Sequence, residues 1–537
     1  MRMNLVSALR ARLAAQDGFS MLAVMMVMTA SAMFVAAGYA AANGDLPVSR
    51  NSQDRKAAYA AAESGINFYQ FKLNSDNDYW SRCTNVPAPN AQEKSPVNQR
   101  WNGTGNDTRN WRKVSGATAE YTIELLPAGS YTSCVQGVND SLIDPSTGTF
   151  RIRATGRPNA GSKLRRTINA TFRRKSFLDF LYFTDYETVD PAAYPVSGTT
   201  YNREWAAANC ADRRRAKRHV YCSEIQFADF DRINGPFHTN DDILTCGNPV
   251  FGRTAADKIE VSGAAPGHKP NGSGCAGTPV FNGPFMVSTP PLTMPPTNDA
   301  LKTVAQAAYL FEGKTTIRFN GNETMTVTNP WRNGGAATTM ALPSNGVIYV
   351  KNRSCTSSIP PIQATYTEGD GCAQVYVSGT YDKSMTIGSQ NDIVIRPPAN
   401  SDNGDLKRAN DNVVMGLIAN NYVRVSHPVS SCNNVTTGSH RVMPNVRIDA
   451  AILSLTHSFL VDNWQCGAKL GKLTVNGAIA QKYRGPVGSA NNYGTHGYEK
   501  DYNYDDRLRY RSPPYFLDPV AASWTVIRTN EQVPATK

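Results

Sequence analysis

Ile233-Asn234-Gly235-Pro236-Phe237 returns as Phe281-Asn282-Gly283-Pro284-Phe285, and these two stretches decide the reading of the larger part of the chain. Each sets apolar residues on either side of an Asn-Gly pair, whose tolerance of left-handed backbone makes sharp corners. Further short β-branched runs follow at 346–350, 373–377, 391–395, 414–418, 422–425, 446–450 and 472–475, again separated by Asn, Gly and Asp. Many strands of a few residues with corners between them predict a parallel β-helix over residues 225–490, each rung burying its apolar face on the next. The repeat has no fixed period, so a β-sandwich is the alternative. Beyond it, Tyr502, Tyr504, Tyr510, Tyr515 and Phe516 near Pro513-Pro514 read as an aromatic cap on the last rung, over residues 491–537.

Working outward, the 537 residues exceed one small domain, and two or three folded units are expected. Hydrophobic residues at 41% and charged residues at 18% are a globular balance, not a disordered one. Residues 121–125, 149–154 and 166–172 alternate apolar and polar, which predicts three half-buried antiparallel strands. They form a β head over residues 74–175, with loop composition at 74–110, and residues 176–224 connect it to the β-helix. Arg165, Arg166, Arg173, Arg174 and Lys175 read as flanking charges that keep a strand edge from pairing. Ala58, Ala61, Ala62, Gly65, Ile66 and Tyr69 recur at helical spacing upstream of this head. The fold class is thus an α+β N-terminal part, a long helix with a small antiparallel sheet, followed by a mostly β domain.

The helix begins in the membrane. In Asp17-Gly18-Phe19-Ser20-Met21-Leu22 a basic leader, residues 1–18, runs into the uninterrupted apolar segment 19–42. At about 1.5 Å per residue that segment makes a helix of roughly 36 Å, against a bilayer core of about 30 Å. Arg2, Arg10 and Arg12 against Asp17 keep the leader cytoplasmic and put everything after residue 42 outside. Cleavage of an ordinary signal peptide at Ala40-Ala41-Ala42 is the alternative.

A glycine followed by a hydrophobic residue, placed before the apolar segment, resembles the leader of type IV prepilins. The resemblance implies that prepilin peptidase cuts after Gly18 and that Phe19 becomes an N-methylated mature terminus. Residues 54–66, with Ala60-Ala61-Ala62-Glu63-Ser64-Gly65 at their centre, resemble the Ala-rich stretch of PilX-like minor pilins. Ala154-Thr155-Gly156, read as a turn before an Arg-Thr-Ile strand, extends the likeness to about residue 175. Other pilin subunits are then the implied partners. The family's major subunits carry a glutamate five residues after the cut, where this chain has Ala23. Such a glutamate would pair with a neighbour's terminal amine inside the membrane, so its absence points to a minor or tip subunit.

Ten cysteines, Cys83, Cys134, Cys210, Cys222, Cys246, Cys275, Cys355, Cys372, Cys432 and Cys466, contain no Cys-x-x-Cys pair. In an exported chain they are disulfide candidates, and bridges Cys210/Cys222, Cys246/Cys275 and Cys355/Cys372 would each close a short polar loop. The run Arg213, Arg214, Arg215, Lys217 and Arg218, in a chain whose net charge is +12, is a candidate contact for DNA phosphates or an anionic surface polymer. His238 beside Asn240-Asp241-Asp242 suggests a glycosidase pair, but neighbours along a strand face opposite sides. Asp501 to Asp506 starts like a calcium loop, yet its sixth position is Asp506 and its twelfth Ser512, so the EF-hand reading fails. Phosphate loops and Gly-x-Ser-x-Gly are absent from the sequence. The expected protein is a non-enzymatic minor filament subunit without cofactor or metal, single-pass in the cytoplasmic membrane and then on a surface filament. A carbohydrate-active β-helix enzyme and an adhesin are the alternatives.

Overall fold

The computed structural model describes residues 21–75, 79–82, 111–128, 142–144, 149–191, 193, 203–214, 217–355, 369–429, 432, 442–489, 496–509, 511–520 and 524–533. Its first element is one continuous helix, Met21–Ser75. The second half of that helix buries Ala58, Ala61, Ala62, Ile66, Tyr69 and Leu73, one stripe at three- and four-residue spacing. The stripe lies on an antiparallel sheet with strand order Arg112–Lys113, Glu120–Leu126, Thr149–Arg157, Arg166–Arg174, Trp524–Gln532. Tyr69, Phe150, Phe172 and Trp524 fill the space between, with Phe150 and Phe172 stacked at 5.1 Å.

Two expectations are corrected here. Ala154-Thr155-Gly156 is not a turn: it lies inside Thr149–Arg157, where Gly156 lets the strand backbone touch the helix. Arg166–Arg174 is not an edge: the strand from the far C-terminus pairs along it, and Arg166 bonds Glu531 at 2.6 Å. Arg173 is buried and pairs with Asp179 at 3.2 Å.

Most of the rest of the described chain is β-helix-like, a coil of short parallel strands, with an antiparallel excursion at Thr315–Asn320, Thr324–Thr328 and Thr338–Ala341. One ladder runs in register through Phe285, Ile259, Phe237, Tyr182, Ile479, Ile452, Leu417, Ile387 and Ile348. A second runs through Phe281, Phe251, Ile233, Tyr502, Val475, Ile448 and Leu406. Both stacks point into one core. Parallel pairing excludes the sandwich, whose sheets are antiparallel. Each corner is local chemistry: Asn234 donates to Asn503 at 3.0 Å and Asn476 to Asp449 at 2.8 Å, so side-chain amides tie successive coils at the bend between the ladders.

Chain order through the ladders is the unexpected feature. The chain enters at the middle, on strand Tyr182–Tyr186, and coils outward to Phe285–Met286. It then returns along the outside, and coils back from Leu310–Glu312 until Lys469–Tyr483 lies against the entry strand. The junction rung is composite: Tyr182–Tyr186 supplies one face and His496–Tyr504 the other. The segment read as connector therefore holds a central strand, and the segment read as a terminal cap supplies another. Tyr502 and Tyr504 point into the core, and Tyr510 lies outside the described residues. The physical reason is that chain entry and exit share one rung, so neither end of the coil is left for the last strand to cover.

The outward side of the first ladder, Phe183, Ala480, Leu453, Ile418 and Tyr349, is itself apolar and covered by the returning chain. Leu292, Met294 and Leu301 pack there. Asn298 fixes the strap by donating to the carbonyls of Ser389 at 2.7 Å and Ile418 at 2.8 Å.

Candidate functional site

Met21–Tyr39 is long and apolar enough to cross a membrane, and its side chains are exposed nearly all round. Thr29 donates to the carbonyls of Met25 and Met26 at 2.8 and 3.0 Å, so its hydroxyl is satisfied within the helix, as a lipid environment requires. The same helix continues without a break into the head, where Gly65 meets the ring of Tyr121 closely enough that a β-carbon would lie 2.9 Å from it. One continuous helix thus joins an apolar rod to a packed sheet. Gly18 and Phe19 lie outside the described residues.

The basic run is largely committed inside the fold. Arg218 is buried and pairs with Glu224 at 2.8 Å and with Asp241. Arg213 pairs with Asp185 at 2.6 Å and sits over the Tyr186 ring. Burial pushes the Asp185 carboxyl up, against the pull of Asn240 and Arg213. Arg214 reaches Asp212, Lys217 is exposed, and Arg215 lies outside the described residues. The loop is held by the bridge Cys210–Cys222. Bridges Cys246–Cys275, Cys355–Cys372 and Cys432–Cys466 also form, and Cys83 and Cys134 lie outside the described residues.

His238 is buried between Glu260 at 2.9 Å and Asn240 at 3.1 Å, with Lys175 on the far side of Glu260 at 2.6 Å. Asn240 in turn donates to Asp185 and to the Leu292 carbonyl of the strap. The arrangement is a sealed clasp among a strand pair, the head and the strap, without room for a sugar ring between two free carboxylates. The Asp501–Asp506 oxygens are likewise engaged: Asp501 accepts from Thr474 at 2.9 Å, Asp505 from Arg507 at 2.8 Å, and Asp506 from Arg253 at 2.7 Å.

The groups that sequence reasoning missed meet at the composite rung. Arg484 is buried and pairs with Glu187 at 3.2 Å, its guanidinium 3.4 Å from the centre of the Phe227 ring. Lys500 pairs with Asp231 at 2.7 Å. Burial disfavours both charges, raising Asp231 and lowering Lys500, but Lys500 and Arg484 together take the Asp231 carboxyl below its ordinary range. A second cluster joins His457, Asp190 and Tyr422: Asp190 accepts from His457 at 2.6 Å and from Tyr422 at 2.8 Å. Most of these residues sit just beyond strand ends, in segments far apart in the chain, and none stands in a motif.

No family model matches the chain, and no curated protein matches it. A solved structure that it resembles is the competence-associated pilin ComZ from Thermus thermophilus, at 13% identity over 89% of this chain and 97% of that one. The TM-score is 0.27, a superposition too loose to carry an argument.

Proposed function

We propose that this chain is a minor structural subunit of a type IV pilus or related surface filament, PilX-like in its first 175 residues, and not an enzyme. The observation that carries the reading is the single helix Met21–Ser75, an exposed apolar rod that passes unbroken into a packed head. A plain anchor needs only the rod; an assembling subunit also needs the rod fixed rigidly to its head. In this reading prepilin peptidase cuts after Gly18, Phe19 becomes the mature terminus, and the rod first holds the chain in the membrane and then packs among other pilin subunits. The β-helix-like domain is the part displayed outside. Ala23 stands where a charge would pair with the next subunit's terminus, which favours a sparse or tip position over a bulk polymer. Exposed Arg214 and Lys217 leave only a weak contact for DNA or surface polymer.

Quantitative proteomics of sheared surface filaments tests the claim. The account expects this chain among the filament proteins at a small fraction of the most abundant one. Finding it as the most abundant filament protein, or absent from filaments altogether, would overturn it.

A further inference from the structure

A cleft of about 580 Å³ opens where the two arms of the coil meet, in the range of small-ligand sites. One wall is residues 224–231 of the outgoing arm and the other residues 486–488 and 496–500 of the returning arm. Pro486, Val487 and Tyr498 give it an apolar floor, and Tyr498 is locked by donating its hydroxyl to the Met443 carbonyl. At its mouth Phe230 is 68% exposed, a large aromatic face left in solvent beside a concave surface.

The polar lining is charge-balanced. Glu224 pairs with Arg218 at 2.8 Å, Asp231 with Lys500 at 2.7 Å, and Glu499 with Lys469 at 3.3 Å. Among the described lining residues, no surplus of positive charge is left to hold a phosphate or sulfate, and no unpaired carboxylate to hold a cation. What remains is an array of fixed donors and acceptors. Asn271 donates to Gln226 at 2.7 Å, so the two amides hold each other in place. His496 points Nδ1 at the Gly467 carbonyl at 2.6 Å, which leaves Nε2 an acceptor in the neutral ring. Hydroxyl groups, each both donor and acceptor, match such an array, and the apolar face of a pyranose ring matches the exposed phenyl.

We propose that this cleft binds a segment of an uncharged oligosaccharide. Recognition goes without cleavage, because each lining carboxylate is held by a cation and Asp231 stays ionised, so that it cannot serve as the protonated acid that glycoside hydrolysis needs. The site exists only when both arms are in place, since each supplies one wall. It involves no residue of the helix, and the inference therefore stands or falls apart from the filament reading.

The test is calorimetric titration of the full chain in lipid nanodiscs with cello-, malto-, laminari- and chitohexaose, with a heparin hexasaccharide as the anionic comparison. At least one uncharged hexasaccharide should bind saturably and equally well at low and high salt, and be recovered uncut. Phe230→Ala and Asn271→Ala should each weaken binding tenfold or more while the melting transition is kept. Binding by none of the uncharged sugars, binding indifferent to both substitutions, preference for the heparin fragment, or cleavage of the probe would each overturn the proposal.

Discussion

Gly156 shows how much of the head rests on a missing side chain. A β-carbon there would collide with the Ala58 carbonyl oxygen and lie 2.6 Å from the backbone nitrogen of Ala62, both on the helix. Backbone cannot step aside as a flexible side chain can, so Gly156→Ala should cost the head about 2 to 3 kcal/mol. Gly116, at φ +73° with nothing within 4 Å, gives the contrast, and Gly116→Ala should cost only about 1 kcal/mol of backbone strain. Chemical denaturation followed by fluorescence of the buried Trp80 and Trp524 separates the two; equal costs would contradict the close-approach account. Glu260 carries a charge-state prediction. Burial would raise its carboxyl, but hydrogen bonds from His238 and Lys175 outweigh it and bring the group down to about 2. A depressed carboxyl stabilises the fold above its unfolded value near 4.3, and that contribution fades as pH falls from about 4 to 2. Its size is on the order of 3 kcal/mol. Glu260→Gln should therefore flatten the acid limb of the stability curve, and an unchanged limb would show that the clasp is not what holds this carboxyl ionised.

Strand Trp524–Gln532 closes one edge of the head sheet after the chain has traversed the whole coil. Deleting residues 524–537 would bare the Arg166–Arg174 edge and uncover Phe150, which Trp524 meets edge-on at 4.9 Å. Hydrogen exchange at 166–174 should speed by about a hundredfold or more, while amides of the ladder at 387 and 417 stay protected; equal loss in both would mean that head and coil unfold as one unit. Elements with local causes were legible in the sequence. The Asn-Gly-Pro repeats sit at corresponding corners because Ile233 and Phe281 share one ladder, and Phe237 and Phe285 the other. The helix stripe at Ala58 to Tyr69 was legible for the same reason. The strand through Asp501 to Tyr504 was missed, read as part of a terminal cap, because its alternation is hidden in a polar run: Tyr502 and Tyr504 turn inward while Asn503 joins the corner amides of Asn234.

At the scale of the whole molecule, the coil is two arms joined at a rung that both ends of the chain build. Nothing local encodes that order: which strand lies on Tyr182–Tyr186 depends on Ile479 and Phe237, both distant in sequence, and the returning strap has no periodic pattern to announce it. The buried pairs Arg484 with Glu187 and Lys500 with Asp231 sit at that rung, where well-paired charges fix register at the cost of desolvation. The C-terminal strand then runs back to the head sheet, so the chain that leaves the helix through the head returns to it after building the rung. The central claim concerns what that helix is for. Intact mass spectrometry of the protein recovered from cells reads it directly: the account predicts a mature chain beginning at an N-methylated Phe19, cut after Gly18. A chain beginning at Asn43 would make the apolar segment a discarded secretory signal and contradict the filament subunit.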